Sequence, residues 1–223
     1  MGHKIAIDGP AGAGKSTIAK KIASELGYIY VDTGAMYRAM ALFLLNKKID
    51  PNDTQAVSSN CEDADITIRY ENSEQVVYLN GENVNGFIRN EQVGNMASLT
   101  SANPDVRKKL VQLQQKLAAD TDVVMDGRDI GTCVLPDADL KIFLTASSRV
   151  RAERRYNELT AKGEKCDIDV IENDIMERDH QDMTREISPL VAADDAILLD
   201  SSYFTIEEVA DAIIEMLVEK ING

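Results

Sequence analysis

The sequence predicts an α/β fold: a doubly wound five-stranded parallel sheet with an inserted small antiparallel subdomain and a helical lid. Five short apolar runs, each a candidate strand, alternate with segments of helical periodicity. A glycine-rich turn joins the first apolar run to the first helical segment. A stretch of period-two alternation interrupts the series at about 64–86 and predicts the antiparallel piece. The candidate parallel strands lie at 4–8, 28–32, 123–126, 140–145 and 196–200.

The composition indicates a folded, acidic protein. Its 223 residues suffice for one α/β core with insertions. The net charge of −14 would repel nucleic-acid phosphates, so we expect no nucleic-acid partner. No apolar run approaches the ~20 residues of a membrane span, and the first strand starts too early for a signal peptide. We therefore expect no membrane association, a cytoplasmic location, reduced cysteines at their wide spacings and a monomer.

The glycine-rich turn has the spacing of a phosphate-binding P-loop, G-x-x-x-x-G-K-S. Its glycines let backbone N–H groups face an anion, and the following helix N-terminus adds partial positive charge. Lys15 can reach the β and γ phosphates, and Ser16 can serve magnesium. A plain βα turn is the alternative; a dinucleotide motif fails because Thr17 stands where it needs glycine. The residues expected to bind ATP are Gly9, Pro10, Ala11, Gly12, Ala13, Gly14, Lys15, Ser16 and Thr17.

A second candidate site element follows the third parallel strand. Residues 123–125 are apolar and lead to Asp126, as a Walker B-like element requires of a carboxylate that faces magnesium through water. Arg128 and Asp129 come directly after it. Because ligands bind outside the carboxyl ends of parallel strands, these three side chains should line the cleft. A simple Asp-Gly turn at the strand end is the alternative.

Two further arginines stand where a structural cation is poorly placed. Arg38 lies near the start of a predicted helix at 35–46, and Arg107 lies in the first turn of the helix that begins at Asn103-Pro104. The positive end of the helix dipole disfavours a cation at both places unless an anion joins it. We interpret both arginines as ligands of an anion, with a solvated surface arginine as the alternative.

A polar helix after residue 145 carries several arginines and predicts the lid. Its arginines would close on a transferring phosphoryl group and exclude water. A solvated charged face, with Glu158 pairing with Arg154 four residues earlier, is the alternative. The arginines concerned are Arg149, Arg151, Arg154 and Arg155.

The next predicted helix, at 169–183, carries Arg178 and Asp182, with Arg185 just beyond. Their i, i+4, i+7 spacing puts them on one helix face, where two cations could hold a phosphate. A surface ion-pair ladder is the alternative.

Other segments have simpler interpretations. We interpret 50–60 as a loop, Asn80-Gly81 as a hairpin turn, 91–101 as a helix that carries Ser98, and 205–208 as a capping box.

Several of these stretches together resemble the bacterial cytidylate kinases, members of the nucleoside monophosphate kinase family of P-loop kinases. The most specific are Asp-Thr-Gly-Ala-Met-Tyr-Arg at 32–38 and Asp-Gly-Arg-Asp at 126–129. Other matching pieces keep their order over nearly the whole chain, at 8–17, 136–139, 141–144, 146–148, 177–179 and 188–190. The resemblance implies direct transfer of the γ-phosphoryl group of ATP to CMP or dCMP, with Mg²⁺ as cofactor.

The resemblance also implies roles for residues. Thr33 and Arg38 would meet the acceptor nucleotide, Ser98 and Arg107 the cytosine edge, Arg128 the acceptor phosphate and Asp129 the sugar hydroxyls; Arg178, Asp182 and Arg185 would complete the pocket. Many relatives have Gly-Lys-Gly-Thr where this chain has Gly14-Lys15-Ser16-Thr17, so the metal hydroxyl is that of Ser16 or Thr17. We expect the catalytic residues to be Lys15, Arg128, Arg151, Arg154 and Arg155.

The resemblance divides the chain into three regions. The core would comprise 1–33, 104–148 and 186–223, the monophosphate-binding region 34–103, and the lid with its following helix 149–185. Two other functions stay open: a kinase of another small molecule, and a nucleotide switch. The arginines disfavour a neutral acceptor, and the chain lacks the Asn-Lys-x-Asp element by which GTPases recognise guanine.

The P-loop lysine provides the first test. Lys15→Met should lower the turnover rate steeply and leave the fold intact, because Lys15 stabilises the charge that develops on the transferred phosphoryl group. Steady-state rates and circular dichroism check the two halves of this expectation. Turnover like that of the unmodified protein would contradict the mechanism.

Overall fold

The computed structural model describes residues 2–71 and 74–222. The strands are β1 (Lys4–Asp8), β2 (Ile29–Asp32), β3 (Ile66–Glu71), β4 (Glu74–Leu79), β5 (Glu82–Asn83), β6 (Val123–Gly127), β7 (Leu140–Thr145) and β8 (Ile197–Asp200). The helices are α1 (Lys15–Leu26), α2 (Thr33–Asn46), α3 (Thr54–Cys61), α4 (Glu91–Thr100), α5 (Pro104–Leu117), α6 (Ser148–Ala161), α7 (Ile168–Thr184) and α8 (Ile206–Asn222).

The large sheet is parallel and has five strands in the order β2-β6-β1-β7-β8. This confirms the predicted fold class and all five predicted strands. The register places Asp126 beside Asp32 on one side and beside Ile7 on the other. The carboxyl ends of the three strands β2, β6 and β1 therefore meet at one edge, where the phosphate loop begins.

Two apolar cores cover the faces of this sheet, as a doubly wound fold requires. Ile5 and Ile7 of β1 pack with α1 and α8 on one face, whereas Ala6 packs with α2 and α5 on the other. The alternation follows from the period-two geometry of a strand. Because both faces are covered, the strands are apolar throughout and the polar residues cluster at their ends.

The small sheet is antiparallel, with the order β3-β4-β5, and confirms the predicted subdomain. Its second turn is the predicted one: Asn80 and Gly81 both have positive φ angles, of 50° and 84°. Positive φ at both central residues is what a tight hairpin of this kind requires. Residues 72–73, inside the predicted range, lie outside the described residues.

One interpretation of the sequence is wrong in detail. Residues 50–60 are not all loop, because α3 begins at Thr54. Asp53 caps α3 by accepting from the Ala56 N–H at 2.9 Å, and the buried side chains of α3 are four residues apart. Short helices with few apolar residues give weak periodicity.

Arg185 lies just beyond α7, which ends at Thr184. Its φ of −62° is still helical and its N–H donates to the Gln181 carbonyl at 3.2 Å, so its side chain leaves the helix beside that of Asp182, three residues earlier.

The helix boundary at Asn103 is as predicted. Its side chain caps α5 by accepting from the N–H groups of Asp105 and Val106, and it donates to the Thr54 carbonyl of α3 at 3.1 Å.

The three cysteines are free thiols. None of the described helices is long and apolar enough to cross a membrane.

Asn103 provides a stability prediction. Asn103→Ala should lower the free energy of unfolding by about 2 kcal/mol, because it removes a cap and leaves buried α3 and α5 groups unpaired. The midpoint of thermal unfolding should fall by roughly 4–8 °C. Asp53→Ala removes an exposed cap and should cost only about half as much. Equal losses would show that the buried bond between the helices contributes nothing.

Candidate active site

The phosphate loop runs from the end of β1 to the start of α1. A Cβ on Gly9 would lie 1.9 Å from the Leu144 carbonyl oxygen, so only glycine fits there. Gly14 precedes α1 with φ of 91° and has no side chain to cap it, which leaves the first-turn N–H groups for an anion. Lys15 Nζ donates to the Pro10 carbonyl at 2.7 Å, and burial lowers the pKa of Lys15. A bound polyphosphate would favour its charged form.

Asp126 lies at the base of this loop, as predicted. Its Oδ2 accepts from the Ser16 hydroxyl at 2.9 Å, and its Oδ1 accepts from the Tyr30 hydroxyl at 2.8 Å. Burial raises the pKa of Asp126, and the nearby Asp32 carboxylate adds to the effect. Of the two hydroxyls after Lys15, that of Ser16 therefore meets Asp126. A hydroxyl and a carboxylate beside a phosphate site suit Mg²⁺, which takes few protein oxygens together with phosphate oxygens.

Charged side chains from several elements meet next to the loop and form a slot, which we call the acceptor slot after the role expected from the sequence. Arg128 Nε donates to Asp182 Oδ2 at 2.8 Å, and Arg185 Nη1 lies 3.7 Å from Asp182 Oδ1. Arg107 forms a buried ion pair with Asp129. The slot thus joins α5, α7 and the segment after β6, and brings together residues far apart in the sequence.

The acceptor slot holds positive charge in excess. Burial lowers the pKa of Arg178, and the positive charges of Arg128 and Arg38 lower it further. Four buried polar atoms of the slot have no hydrogen-bond partner within 2–71 and 74–222. An anion would supply partners and offset the repulsion. These atoms are Tyr37 OH, Arg38 Nε, Arg178 Nε and Arg185 Nη2.

Asp32 anchors one wall of the slot. Its Oδ2 meets Arg38 Nη2 at 3.1 Å and Arg89 Nη2 at 2.9 Å, while its Oδ1 caps α2 by accepting from the Ala35 N–H. Arg89 was not predicted, because it lies in an irregular segment between β5 and α4 that has no periodicity to mark it. A single buried carboxylate therefore directs two guanidinium groups.

Comparison with known proteins agrees with this geometry. The family model described as cytidylate kinase matches residues 5–219. The chain belongs to the cytidylate kinase family. The cytidylate kinases of Caldicellulosiruptor saccharolyticus and Geobacillus sp. (strain WCH70) are 51% and 48% identical over 219 residues; the matches cover 98% of this chain in both cases, and 97% and 98% of the relatives.

Solved structures support the fold of this cytidylate kinase family member. A gluconokinase from Sinorhizobium meliloti 1021 superposes with a TM-score of 0.51 at 14% identity, over 97% of this chain and 92% of that one. At such low identity the likeness concerns the fold alone. The fold of this chain is therefore similar to that of this gluconokinase.

The remaining predicted acceptor residues lie around the slot of the family member. Thr33 donates to a backbone carbonyl of β6 at 2.7 Å. Ser98 is half-buried on α4, and its carbonyl accepts from the Ser101 hydroxyl. Arg185 Nη1 lies 3.5 Å from that hydroxyl, and Arg107 Nη1 lies 3.5 Å from the Ser101 carbonyl. Ser101 thus connects two guanidinium groups, although it gave no signal in the sequence.

Two of the predicted lid arginines contact the phosphate loop itself. Arg151 Nη1 donates to the Ala11 carbonyl at 3.0 Å, and its Nη2 pairs with Asp179 at 2.6 Å. Arg154 Nη1 donates to the Ala13 carbonyl at 3.3 Å. Both guanidinium groups therefore hold the carbonyl groups of the loop, which fixes its backbone from α6.

Arg155 is directed elsewhere. It is exposed and pairs with Glu158 at 2.9 Å, three residues later. The alternative in which Glu158 pairs with Arg154 is therefore wrong, because Arg154 instead donates to the Ser201 carbonyl at 2.8 Å. Of the four arginines predicted for the lid, Arg155 and Arg149 have ion pairs that are open to water and easily exchanged; Arg149 pairs with Asp169 at 2.7 Å.

Asp8 is a site residue that sequence reasoning did not single out. Its two carboxylate oxygens each accept a backbone N–H at 2.7 Å, from Ile130 and Gly131. These residues open a π-helical turn, Ile130–Val134, directly after Asp129. Asp8 thus fixes the segment that presents Arg128 and Asp129. An aspartate at the end of a buried strand, just before the loop, was the available signal.

Burial raises the pKa of Asp8 from 3.8 to about 6 despite these hydrogen bonds. The native state therefore binds more protons than the unfolded state between these values, and the contribution of Asp8 to stability rises as the pH falls from 7 to 4. The free energy of unfolding of the unmodified protein should rise, relative to Asp8→Asn, by up to about 3 kcal/mol over this range.

Urea unfolding of both proteins at several pH values measures this difference. Asp137→Asn, at an exposed aspartate, controls for the removal of one negative charge. A difference between the unmodified protein and Asp8→Asn that stays constant from pH 7 to pH 4 would contradict the role of burial.

Proposed function

We propose that the protein transfers the γ-phosphoryl group of ATP directly to CMP or dCMP, giving CDP or dCDP and ADP. Membership of the cytidylate kinase family supports the reaction. The observation that carries it is the acceptor slot beside the phosphate loop, where three guanidinium nitrogen atoms and one phenol oxygen have no hydrogen-bond partner among the described residues. An acceptor that bears a phosphate would accept hydrogen bonds from these atoms, whereas a neutral acceptor such as a sugar would leave them unpaired.

The donor side is residues 9–17. The open N–H groups of the loop and of the first turn of α1 would hold the ATP phosphates. Lys15, which now donates to the Pro10 carbonyl, would exchange that bond for a phosphate oxygen. The hydrogen bond of Lys15 would become stronger, because the phosphate oxygen is ionised whereas the Pro10 carbonyl is neutral. The bonds from Arg151 and Arg154 keep the loop in shape while Lys15 moves.

We propose Ser16 and Asp126 as the residues that hold Mg²⁺, with Asp126 acting through water. When bound, Mg²⁺ would neutralise the charge on the β and γ phosphates. Tyr30 would keep Asp126 in orientation, since its hydroxyl donates to the other carboxylate oxygen. The Ser16 hydroxyl already points at the Asp126 carboxylate, so little rearrangement is needed.

On the acceptor side, we assign Arg38, Arg128 and Arg178 to the phosphate of CMP, with Thr33 beside it. Ser98 and Arg107 would recognise the cytosine edge, Asp129 would bind the sugar hydroxyls, and Asp182 and Arg185 would complete the pocket. Ion pairs hold the guanidinium groups of Arg38, Arg107, Arg128 and Arg185 in place before the acceptor arrives. Such preorganisation lowers the ordering cost of binding.

We also propose that α6 and α7 form the lid. In this role Arg155 would exchange Glu158 for the transferring phosphoryl group when the lid closes, and Arg151 and Arg154 would stabilise the developing charge through the loop that they hold. The core would comprise 1–33, 104–148 and 186–223, with 34–103 as the monophosphate-binding region and 149–185 as the lid. We further propose a monomer that acts in the cytoplasm.

An acceptor panel tests this function. Initial rates with ATP and equal concentrations of CMP, dCMP, UMP, AMP and GMP should show CMP and dCMP as the preferred acceptors, because a site built for a polar edge rejects bases that leave its groups unpaired. Omission of magnesium should abolish transfer. A preference for AMP or GMP would overturn the substrate assignment.

Two arginine variants extend the same panel, one inside the acceptor slot and one outside it as the matched control. Arg38→Ala removes a slot guanidinium and should raise the KM for CMP by at least about tenfold. Arg69→Ala removes a guanidinium of β3 that stacks on Tyr78 and should leave the KM unchanged.

A further inference from the structure

Side chains of the small sheet cover one edge of the large sheet, the edge formed by β2. β2 is an edge strand, and backbone groups of Tyr30 and Asp32 point away from its neighbour β6. The Tyr70 hydroxyl donates to the Tyr30 carbonyl at 3.1 Å. Gln75 Oε1 accepts from the Asp32 N–H at 2.8 Å, and Gln75 Nε2 donates to the Asp32 carbonyl at 3.1 Å. The carboxamide of Gln75 thus pairs with both backbone groups of Asp32, as a neighbouring strand would.

Gln75 is itself held in place. It is half-buried at the second position of β4. Asn85 Nδ2 donates to the Gln75 carbonyl at 3.0 Å, and Asn85 Oδ1 accepts from the Val77 N–H at 2.9 Å. The Asn85 side chain thus fixes the backbone of β4, and the Gln75 side chain fixes the backbone of β2. The support for Asp32 therefore comes from the folded small sheet and not from a mobile side chain alone.

The residue held in this way is the anchor of the acceptor slot. The Asp32 carboxylate meets Arg38 and Arg89 through one oxygen and caps α2 through the other. Its side-chain direction depends on its backbone, which is constrained on one side by β6 and on the other by Gln75. Without Gln75, one buried N–H and one carbonyl at the edge would need water, and the backbone could shift.

We propose that Gln75 is a positioning residue for the acceptor site, through which the small antiparallel sheet sets the direction of the Asp32 carboxylate and hence of Arg38 and Arg89. The inference rests on the proposed acceptor site, because Arg38 is assigned there to the CMP phosphate. Gln75 contacts neither nucleotide in this account. It acts on the binding of the acceptor and not on that of ATP, whose loop follows β1, two strands away from β2 in the sheet.

Gln75→Ala tests this role. The KM for CMP should rise about tenfold, since two hydrogen bonds that fix the Asp32 backbone are lost, while kcat and the KM for ATP change by less than about twofold. Glu74→Ala, at the exposed neighbouring position of β4, is the matched control and should leave all three constants unchanged. Titration calorimetry with CMP alone should give the same change in Kd, and it is independent of turnover.

A double-mutant cycle tests whether Gln75 acts through Asp32. Asp32→Asn keeps an oxygen that caps α2 but weakens the attraction for Arg38 and Arg89, so it should raise the KM for CMP on its own. In that background Gln75→Ala should add less than about twofold, because residues that act in series are not additive. A full additional tenfold increase would show that Gln75 acts by another route and would overturn the proposal.

The outcomes also separate this inference from the site assignment. If Arg38→Ala raises the KM for CMP and Gln75→Ala does not, the positioning role of Gln75 is wrong and the acceptor site stands. If neither variant raises it, the acceptor site is wrong and the positioning role falls with it. A lower apparent kcat with both KM values unchanged would indicate a loss of folded protein and overturn the role. Gln75→Glu, which keeps the size but cannot donate to the Asp32 carbonyl, replaces Gln75→Ala if the latter does not fold.

Discussion

Three buried carboxylates at the ends of neighbouring strands are the constraint on which the site depends. The strand order and register bring Asp8, Asp126 and Asp32 to one edge of the sheet, where each is about 5% exposed. An unpaired buried carboxylate costs several kcal/mol, so each must have partners. Asp8 binds the backbone of the π-helical turn, Asp126 binds two hydroxyls, and Asp32 binds two arginines and a helix N-terminus. The partners that burial requires are the parts of the active site.

The same argument applies with opposite sign to the arginines. On a chain of net charge −14, burial lowers the pKa of both Arg178 and Arg185, and the positive charge of neighbouring guanidinium groups adds to the effect. Asp182 compensates part of this charge by meeting Arg128 and Arg185. The positive charge that Asp182 does not compensate is suited to a bound anion. In the proposed function, this excess of positive charge selects an acceptor that bears a phosphate, before any base is recognised.

The sequence predicts the elements of this molecule better than its contacts. Strands buried on both faces and the glycine-rich loop have strong local patterns, so the sheet, the loop and the hairpin at Asn80 were predicted correctly. The short helix α3 was not, because a few residues carry little periodicity. Arg89 and Ser101 become site neighbours only through tertiary packing, which no local pattern encodes.

The join between the two sheets shows why such contacts matter. A backbone ladder between β4 and β2 would merge the small sheet with the large one and fix both as one layer. The Gln75 carboxamide on Asp32 and the Tyr70 hydroxyl on Tyr30 instead cover the exposed edge of β2, which is a liability for association, without forming a backbone ladder. The carboxamide holds Asp32, the residue that connects β2 with helix α2 and with the slot arginines. A small sheet added to an α/β core can therefore influence acceptor binding without contributing any group that touches the acceptor.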